Sequence, residues 1–479
     1  MEVLYINGEW QESKTGETFV SFNPATGEKI GEVADGTKED AKRAIDAAYE
    51  AFTHWSSLTA YERSSYLYKA YELMMERKEE LAKLMTIEQG KPLKASLNEV
   101  QYGADFLLWY AEEAKRLYGQ TIPSARKDQR FIVIQQPVGV VAAITPWNYP
   151  ISMITRKIAP AIAAGCTVVL KPAEQTPLCA IEVFKAFIDA GIPKGVINLV
   201  TTSQPAPIGE EFIENPKVQK LTFTGSTAVG KFLAKGAAGN MKRVSMELGG
   251  HAPFIVCEDA DPVHAAKGVS LVKFLNSGQA CISPNRIFVH RNMLEPFTET
   301  FVKRVEKMKV GNGLNEGVTI GPLVDEQAIN KVFNQVKDAV QKGAELVVGG
   351  ERLTFGELEK GTFFAPTVLK NVTSNMLIYH EETFGPVAPI IPYDDDDNVL
   401  EMANDTNYGL AAYVYTNDVA RAIKLFEGLR FAIVGINDIN PTSAAAPFGG
   451  MKDSGIGREG GHEGIQEYLE TKLGGFSVK

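Results

Sequence analysis

Cys281 closes the segment NSGQAC, a loop of small and polar residues between a helical stretch and a strand-like one. The other cysteines, Cys166, Cys179 and Cys257, stand among Ala, Val and Ile, where a thiol serves as a small core hydrophobe. Of the four, Cys281 is the best placed to act as a nucleophile. Glu247 stands in MELGG, where a carboxylate at a strand tip beside two glycines can reach a reacting centre as general base. Lys171 and Glu174, in KPAE, follow another strand. A carboxylate there can accept from both hydroxyls of an adenosine ribose and would repel a 2′-phosphate. Gly225, in LTFTGSTAVG, marks a strand-to-helix turn where the backbone can approach a phosphate at the helix N-terminus. Taken singly, each has a plainer reading: a strand-end glutamate, a surface ion pair, a turn glycine.

The elements that must position these residues are legible from pattern. VGVVAAI, CTVVLK, VINLV, KLTFT and KRVSMEL read as strands, alternating with helices from Pro150 to about Ala164, from Pro177 to near Gly191, around Ile208 to Ile213, and from Ser226 to Ala238. That alternation means βαβ units and a parallel sheet. Asn148, Lys171, Gly225 and Glu247 all fall at the carboxyl ends of its strands, where open α/β sheets bind ligands. After Gly249-Gly250 the alternation resumes: APFIVC, a helix from Pro262 to Leu275, RIFVH, a helix from Leu294 to Lys307, then GPVAPII, AAYVYT and FAIVGIN with helices between them. This reads as a second α/β unit. Residues from Ala34 to about Arg116 read as helical, with Thr37 and Asp40 forming a capping box. Arg130 to Gln136 and Lys472 to Val478 fit neither unit and read as strands of a small separate element.

Composition narrows the function. The chain has 479 residues, 44% hydrophobic and 23% charged, which excludes disorder and favours more than one domain. With 49 Lys and Arg against 59 Asp and Glu, the net charge of −10 argues against nucleic acid or an anionic membrane as partner. Four scattered cysteines make neither a disulfide framework nor a CxxC zinc site, and the N-terminal residues lack a signal-peptide pattern. The expectation is a reduced, cytoplasmic protein with no metal. Gly225-x4-Gly230-Lys231 is a near miss for a P-loop, but Phe232 replaces the hydroxyl that would hold Mg²⁺, and GxGxxG is absent. A Cys–His hydrolase is a rival reading; it needs a histidine beside Cys281, and of the six only His251 and His380 stand near the relevant loops.

Seven motifs, ITPWNYP, KPAEQTP, FTGSTAVG, MELGG, NSGQAC, EETFGPV and PFGGMKDSGIGREGG, stand in the order found in aldehyde dehydrogenases, and the sequence resembles that superfamily along essentially its whole length. The resemblance implies an α/β fold of two parallel-sheet domains plus a small bridging, oligomer-forming β element. It assigns 1–117 and 138–248 to NAD binding, 249–447 to catalysis, and 118–137 and 448–479 to the bridge. It implies Cys281 as nucleophile and Glu247 as general base, with Asn148 and the Cys281 amide as oxyanion donors and Lys171 in the catalytic set. It places Lys171 and Glu174 on the adenosine ribose, Gly225, Ser226 and Trp147 near the pyrophosphate, Glu382 on the nicotinamide ribose and Phe384 against the nicotinamide. The implied reaction is NAD(P)-dependent oxidation of a small-molecule aldehyde to an acid, by a homodimer or homotetramer. Glu174 favours NAD, with NADP as the alternative.

Within the superfamily the likeness is greatest to succinate-semialdehyde dehydrogenases, through ITRK, MELGGHAPFIV, HEETFGPVAP and SGIGREGG. That likeness places Arg156 and Ser443 on the far carboxylate of the substrate. Leu275 departs from the pattern: KFLN stands where that group commonly has an arginine in a KFRN-like stretch. Losing that guanidinium makes lactaldehyde, glycolaldehyde or another short aldehyde the alternative substrate. Ser283 stands where some members carry a second cysteine, so no redox-switching disulfide is expected. A catalytically idle binding homologue is the alternative of a different class, against which the intact set of site residues speaks.

Overall fold

The computed structural model describes residues 3–394 and 396–478. Among these residues the strands form four sheets. The first runs, in spatial order, Gly455–Ile456, Arg243–Glu247, Val218–Thr224, Val140–Ile144, Thr167–Lys171, Ile197–Leu199, Leu4–Ile6 and Glu9–Gln11. Its five central strands are parallel and its two ends antiparallel. VVAAI and TVVLK are buried at every position, as strands covered by helices on both faces must be. The second sheet runs Glu345–Val348, Thr367–Lys370, Val387–Tyr393, Pro284–His290, Ala252–Val256, Ala411–Tyr415 and Ile433–Ile436, parallel except for its first strand. The third is antiparallel, Leu469–Ser477, Gln129–Pro137 and Gln120–Ile122, and carries both segments left over by the alternation. The fourth is the hairpin Thr18–Phe22 with Lys29–Ala34.

Thr37 and Asp40 form the capping box of the helix Lys38–Ser57, and Gly90, left-handed at φ 92°, ends the helix Lys78–Gln89 before Pro92. Helix Ser152–Ala164 has no exposed residue and carries Arg156 and Lys157 into the interior. Two cations in a fully buried helix require a carboxylate close by.

The chain departs from the sequence expectation in two places, at residues 448–468 and at the end of the helix before Cys281. Residues 448–468 do not join the bridging strands: Gly455 and Ile456 pair with Glu247 and Met246, and Ile465 and Tyr468 enter the core beneath the first sheet. This segment covers what would otherwise be an open sheet edge. The N-terminal strands Leu4–Ile6 and Glu9–Gln11 extend the opposite side of that sheet. The helix expected to run to Leu275 stops at Lys273, and a tight turn follows.

Candidate active site

The first sheet reverses its winding between Val140–Ile144 and Val218–Thr224, since the chain proceeds from the former outward through Thr167–Lys171 and then crosses to build the other side. Such a switch point opens a crevice beyond the strand tips. The register makes those tips level: Ile144 pairs with Lys171 and with Phe223, and Thr224 with Glu247. Around the crevice, Lys171 Nζ lies 2.9 Å from Glu174 Oε2. Ser226 caps the helix Thr227–Ala238, whose positive end opens here. The Gly225 amide is already given to Glu247 O at 3.0 Å, so this glycine shapes the turn; a Cβ on it would meet the Phe223 ring at 2.5 Å. Trp147 and Phe384 meet edge to face, centroids 5.6 Å apart, and Phe384 is held left-handed at φ 57°. Glu382 Oε1 accepts the Gly250 N–H at 2.9 Å. Burial pushes this carboxyl up to about 7. A Cβ on Gly249 would come within 2.9 Å of Glu382 Oε2, so a small residue is needed beside it. An anion-receptive helix end, ribose-type carboxylates and an aromatic pair fit a dinucleotide lying across these tips.

Cys281 comes from the amino end of the second sheet, just ahead of the strand Pro284–His290. Its turn contains three successive left-handed residues, Asn276 (φ 49°), Ser277 (φ 58°) and Gly278 (φ 78°). For non-glycine residues that backbone is costly and persists only where the surroundings enforce it. Here they do. Asn276 Nδ2 donates to Asn148 O at 3.0 Å. Ser277 Oγ donates to Gly321 O and accepts from Gly321 N, each at 3.0 Å. The Gln279 side chain donates to Asn276 O and Pro322 O and accepts from Val324 N. Asn148 Nδ2 in turn donates to Gln279 O at 3.0 Å, two residues ahead of the thiol. A Cβ on Gly250 would sit 2.2 Å from Cys281 O, so glycine is what lets the loops ahead of two neighbouring strands of the second sheet approach to this distance.

The electrostatics follow from burial. The Cys281 thiol is pushed up to about 12, by desolvation first and the Glu247 carboxylate second, with Arg156 opposing. Glu247 is 3% exposed, and neither of its oxygens has a hydrogen-bond partner among the described residues. Desolvation and then the nearby Glu459 carboxylate push it up to about 8, against Arg156 and Lys157. Around neutrality both thiol and carboxyl are mostly protonated, and the carboxyl titrates in a range suited to a general base.

Cys281 borders a cavity of about 460 Å³ whose walls include Tyr102, Tyr149, Arg156, Leu275 and Thr442. Arg156 lines it, yet its Nε lies 2.6 Å from Glu459 Oε2 and its guanidinium carbon 4.2 Å from the centroid of the Phe448 ring. Its Nη2 has no hydrogen-bond partner among the described residues. Leu275 also lines the cavity, at 38% exposure. Ser443 is exposed and is absent from the lining residues; its neighbour Thr442 lines the cavity instead. The segment 437–447 has no helix or strand, so nothing in its pattern fixes which hydroxyl turns inward. His251 Nε2 lies 2.7 Å from Tyr379 O and His380 Nε2 2.5 Å from Ser374 O, so each imidazole is engaged with backbone, and neither lines the cavity that Cys281 borders. Ser283 is buried, its Oγ donating to Lys273 O at 3.2 Å.

Besides Thr442, sequence reasoning missed three residues. Glu459 bridges Arg156 and Lys157, and Lys91 forms a buried ion pair with Glu99. For Glu459 the available signal was two adjacent cations, Arg156 and Lys157, inside an otherwise apolar helical run.

The profile of the aldehyde dehydrogenase family matches residues 10–473. The mitochondrial succinate-semialdehyde dehydrogenase of Arabidopsis thaliana is 50% identical over 468 residues, covering 98% of this chain and 88% of that protein. The NADP(+) succinate-semialdehyde dehydrogenase GabD of Escherichia coli (strain K12) is 49% identical over 467 residues, covering 98% and 96%. The crystal structure of succinate-semialdehyde dehydrogenase from Burkholderia pseudomallei superposes with a TM-score of 0.98 at 44% identity, covering 100% of this chain and 98% of that one.

Proposed function

The chain belongs to the aldehyde dehydrogenase family, and from that premise we propose that it oxidises succinate semialdehyde to succinate, with NAD or NADP as acceptor. What carries the reading is the convergence on Cys281 of Asn148, which holds the Gln279 carbonyl two residues ahead of the thiol, and of the Glu247 carboxylate, whose charge acts on that thiol, with the thiol on a turn enforced from three sides. The Cys281 thiolate, its proton released to solvent, attacks the aldehyde carbon. Asn148 Nδ2 and the Cys281 amide donate to the oxyanion that forms, a contribution of roughly 3 kcal/mol for a donor of this kind. The nicotinamide dinucleotide, when bound, supplies the two-electron acceptor for the oxidation. Glu247 then takes a proton from water, and the resulting nucleophile hydrolyses the Cys281 thioester to release the acid.

Lys171 and Glu174 would hold the adenosine ribose, Ser226 and the helix behind it the pyrophosphate, with Gly225 shaping that turn. Glu382 would hold the nicotinamide ribose, with Trp147 and Phe384 beside the ring. The first sheet then serves as the cofactor-binding unit and the second as the catalytic unit. The three-stranded sheet, with Ile132, Ile134, Leu473 and Phe476 exposed, is the bridging element of a homodimer or homotetramer. Glu174 favours NAD through repulsion of a 2′-phosphate. Among the described residues no helix is long and apolar enough to cross a membrane, and a cytoplasmic location suits the free thiol at the centre of the chemistry.

Arg156 is the cation for the far carboxylate, through its unpartnered Nη2, with Thr442 rather than Ser443 as the hydroxyl on that wall. Leu275 supports the second reading, a shorter or less charged aldehyde such as lactaldehyde or glycolaldehyde, because it lines the cavity with a hydrocarbon surface. Comparing kcat/KM across these substrates and a neutral aliphatic aldehyde decides between them. The function itself is tested by Cys281→Ala: aldehyde-dependent NADH formation disappears while NAD titration still shows binding. Retained turnover would remove Cys281 from its role.

A further inference from the structure

Lys91 is 1% exposed and occupies the connection between the helices Lys78–Gln89 and Leu93–Glu113. The reaction described above makes no use of it, yet it lines the same cavity as Cys281. Its ammonium is fixed on three sides. It pairs with the Glu99 carboxylate, donates to Asn148 O at 2.7 Å, and lies 4.1 Å from the centroid of the Tyr149 ring. Glu99 is anchored in turn: its Oε1 accepts from Ile151 N at 3.0 Å and Ser152 N at 3.2 Å, where the helix Ser152–Ala164 begins.

The connection is also held from the catalytic side. A Cβ on Gly321 would lie 2.1 Å from Gly90 O, and Gly321 is the residue that exchanges hydrogen bonds with Ser277 in the nucleophile's turn. Asn148 O therefore receives two donors from different parts of the chain, Lys91 Nζ and Asn276 Nδ2. Its side-chain Nδ2 carries two N–H groups, of which Gln279 O takes one. Burial holds the Lys91 ammonium below its ordinary range, with Glu99 opposing. A buried ion pair is a weak source of net stability, whereas an ammonium fixed in this way defines where a peptide oxygen must lie.

We propose that Lys91 is a positioning residue: pinned by Glu99, its ammonium fixes the main-chain oxygen of Asn148 and so holds Asn148 Nδ2 where the oxyanion of the Cys281 adduct forms. This rests on Asn148 as oxyanion donor, and the test separates the two. The pre-steady-state burst of NADH is measured for Lys91→Met in the native and the Asn148→Ala backgrounds. In the native background the burst rate falls about 10- to 100-fold, within the range set by loss of an oxyanion donor, while the aldehyde KM and NAD affinity stay within about threefold. In the Asn148→Ala background the further loss is less than about threefold, because the group being positioned is gone.

Equal losses in both backgrounds, or a loss confined to NAD affinity, would overturn the role of Lys91 and leave Asn148 standing. An unchanged burst in Asn148→Ala alone would overturn the donor reading and this inference with it. Should Lys91→Met not fold, Glu99→Gln removes the anchoring charge at constant shape. The same dependence on Asn148 is then expected, and equal losses in both backgrounds would again refute it.

Discussion

Glu247 and Cys281 stand in one site but titrate far apart, so the two halves of the reaction should answer differently to pH. With Glu247 pushed up to about 8, about one carboxyl in ten is ionised at pH 7, half at pH 8 and about nine in ten at pH 9. If Glu247 deprotonates the hydrolytic water, thioester release rises roughly fivefold from pH 7 to 8, less than twofold from 8 to 9, and then levels. Cys281, pushed up to about 12, gives a thiolate fraction that climbs about tenfold per pH unit over the same range. Formation of the adduct should therefore keep accelerating where release has levelled.

Stopped-flow detection of NADH separates the steps, since the burst rate reports acylation and the later linear phase reports turnover. The linear phase should bend near pH 8 wherever release limits it, and the burst should not. Glu247→Gln retains a burst of about one NADH per site, loses the bend and turns over slowly at every pH. A bend surviving in Glu247→Gln would assign that titration to another group. A burst rate flat between pH 7 and 9 would show that the thiol is activated without ordinary titration, and would refute the argument from burial.

Two further outcomes follow from the same walls. Glu459→Gln leaves Arg156 and Lys157 buried without their carboxylate, which costs about 3–5 kcal/mol and should lower the midpoint of thermal or denaturant unfolding. In whatever folds, the linear phase bends below pH 8, because the second cause holding Glu247 up has been removed; an unmoved bend would show that desolvation alone sets it. Leu275→Arg places a guanidinium on the cavity wall and should raise kcat/KM for succinate semialdehyde relative to a neutral aliphatic aldehyde by about tenfold or more, the worth of one charge-assisted hydrogen bond. An unchanged ratio means that the substrate tail does not reach this wall.

What the sequence revealed, and what it withheld, divides along the range of the interactions concerned. VVAAI, TVVLK and APFIV are apolar runs bounded by turns, so their burial on both faces is written locally. Thr37 with Asp40 announces its own helix start, and both lie within one turn of each other. The nucleophile's turn is another matter. Asn276 and Ser277 are left-handed because Asn148 O and Gly321 hold their side chains, and those partners are 128 and 44 residues distant. No local preference of Asn-Ser announces that geometry, and the helical pattern of VSLVKFL ran past the true helix end in its absence.

Glu459 lies 302 residues from Lys157, so the carboxylate that lets two cations enter an apolar helix could be inferred to exist but not located. The presence of Thr442, not Ser443, on the cavity wall is the smallest of these differences and the most instructive. In a strand a one-residue slip would have turned an apolar side chain to water, and the pattern would have forbidden it. In an irregular segment no periodicity ties neighbouring hydroxyls to opposite faces, so the packing of Phe448 against Arg156, not the text of the loop, accompanies the choice of which one lines the cavity.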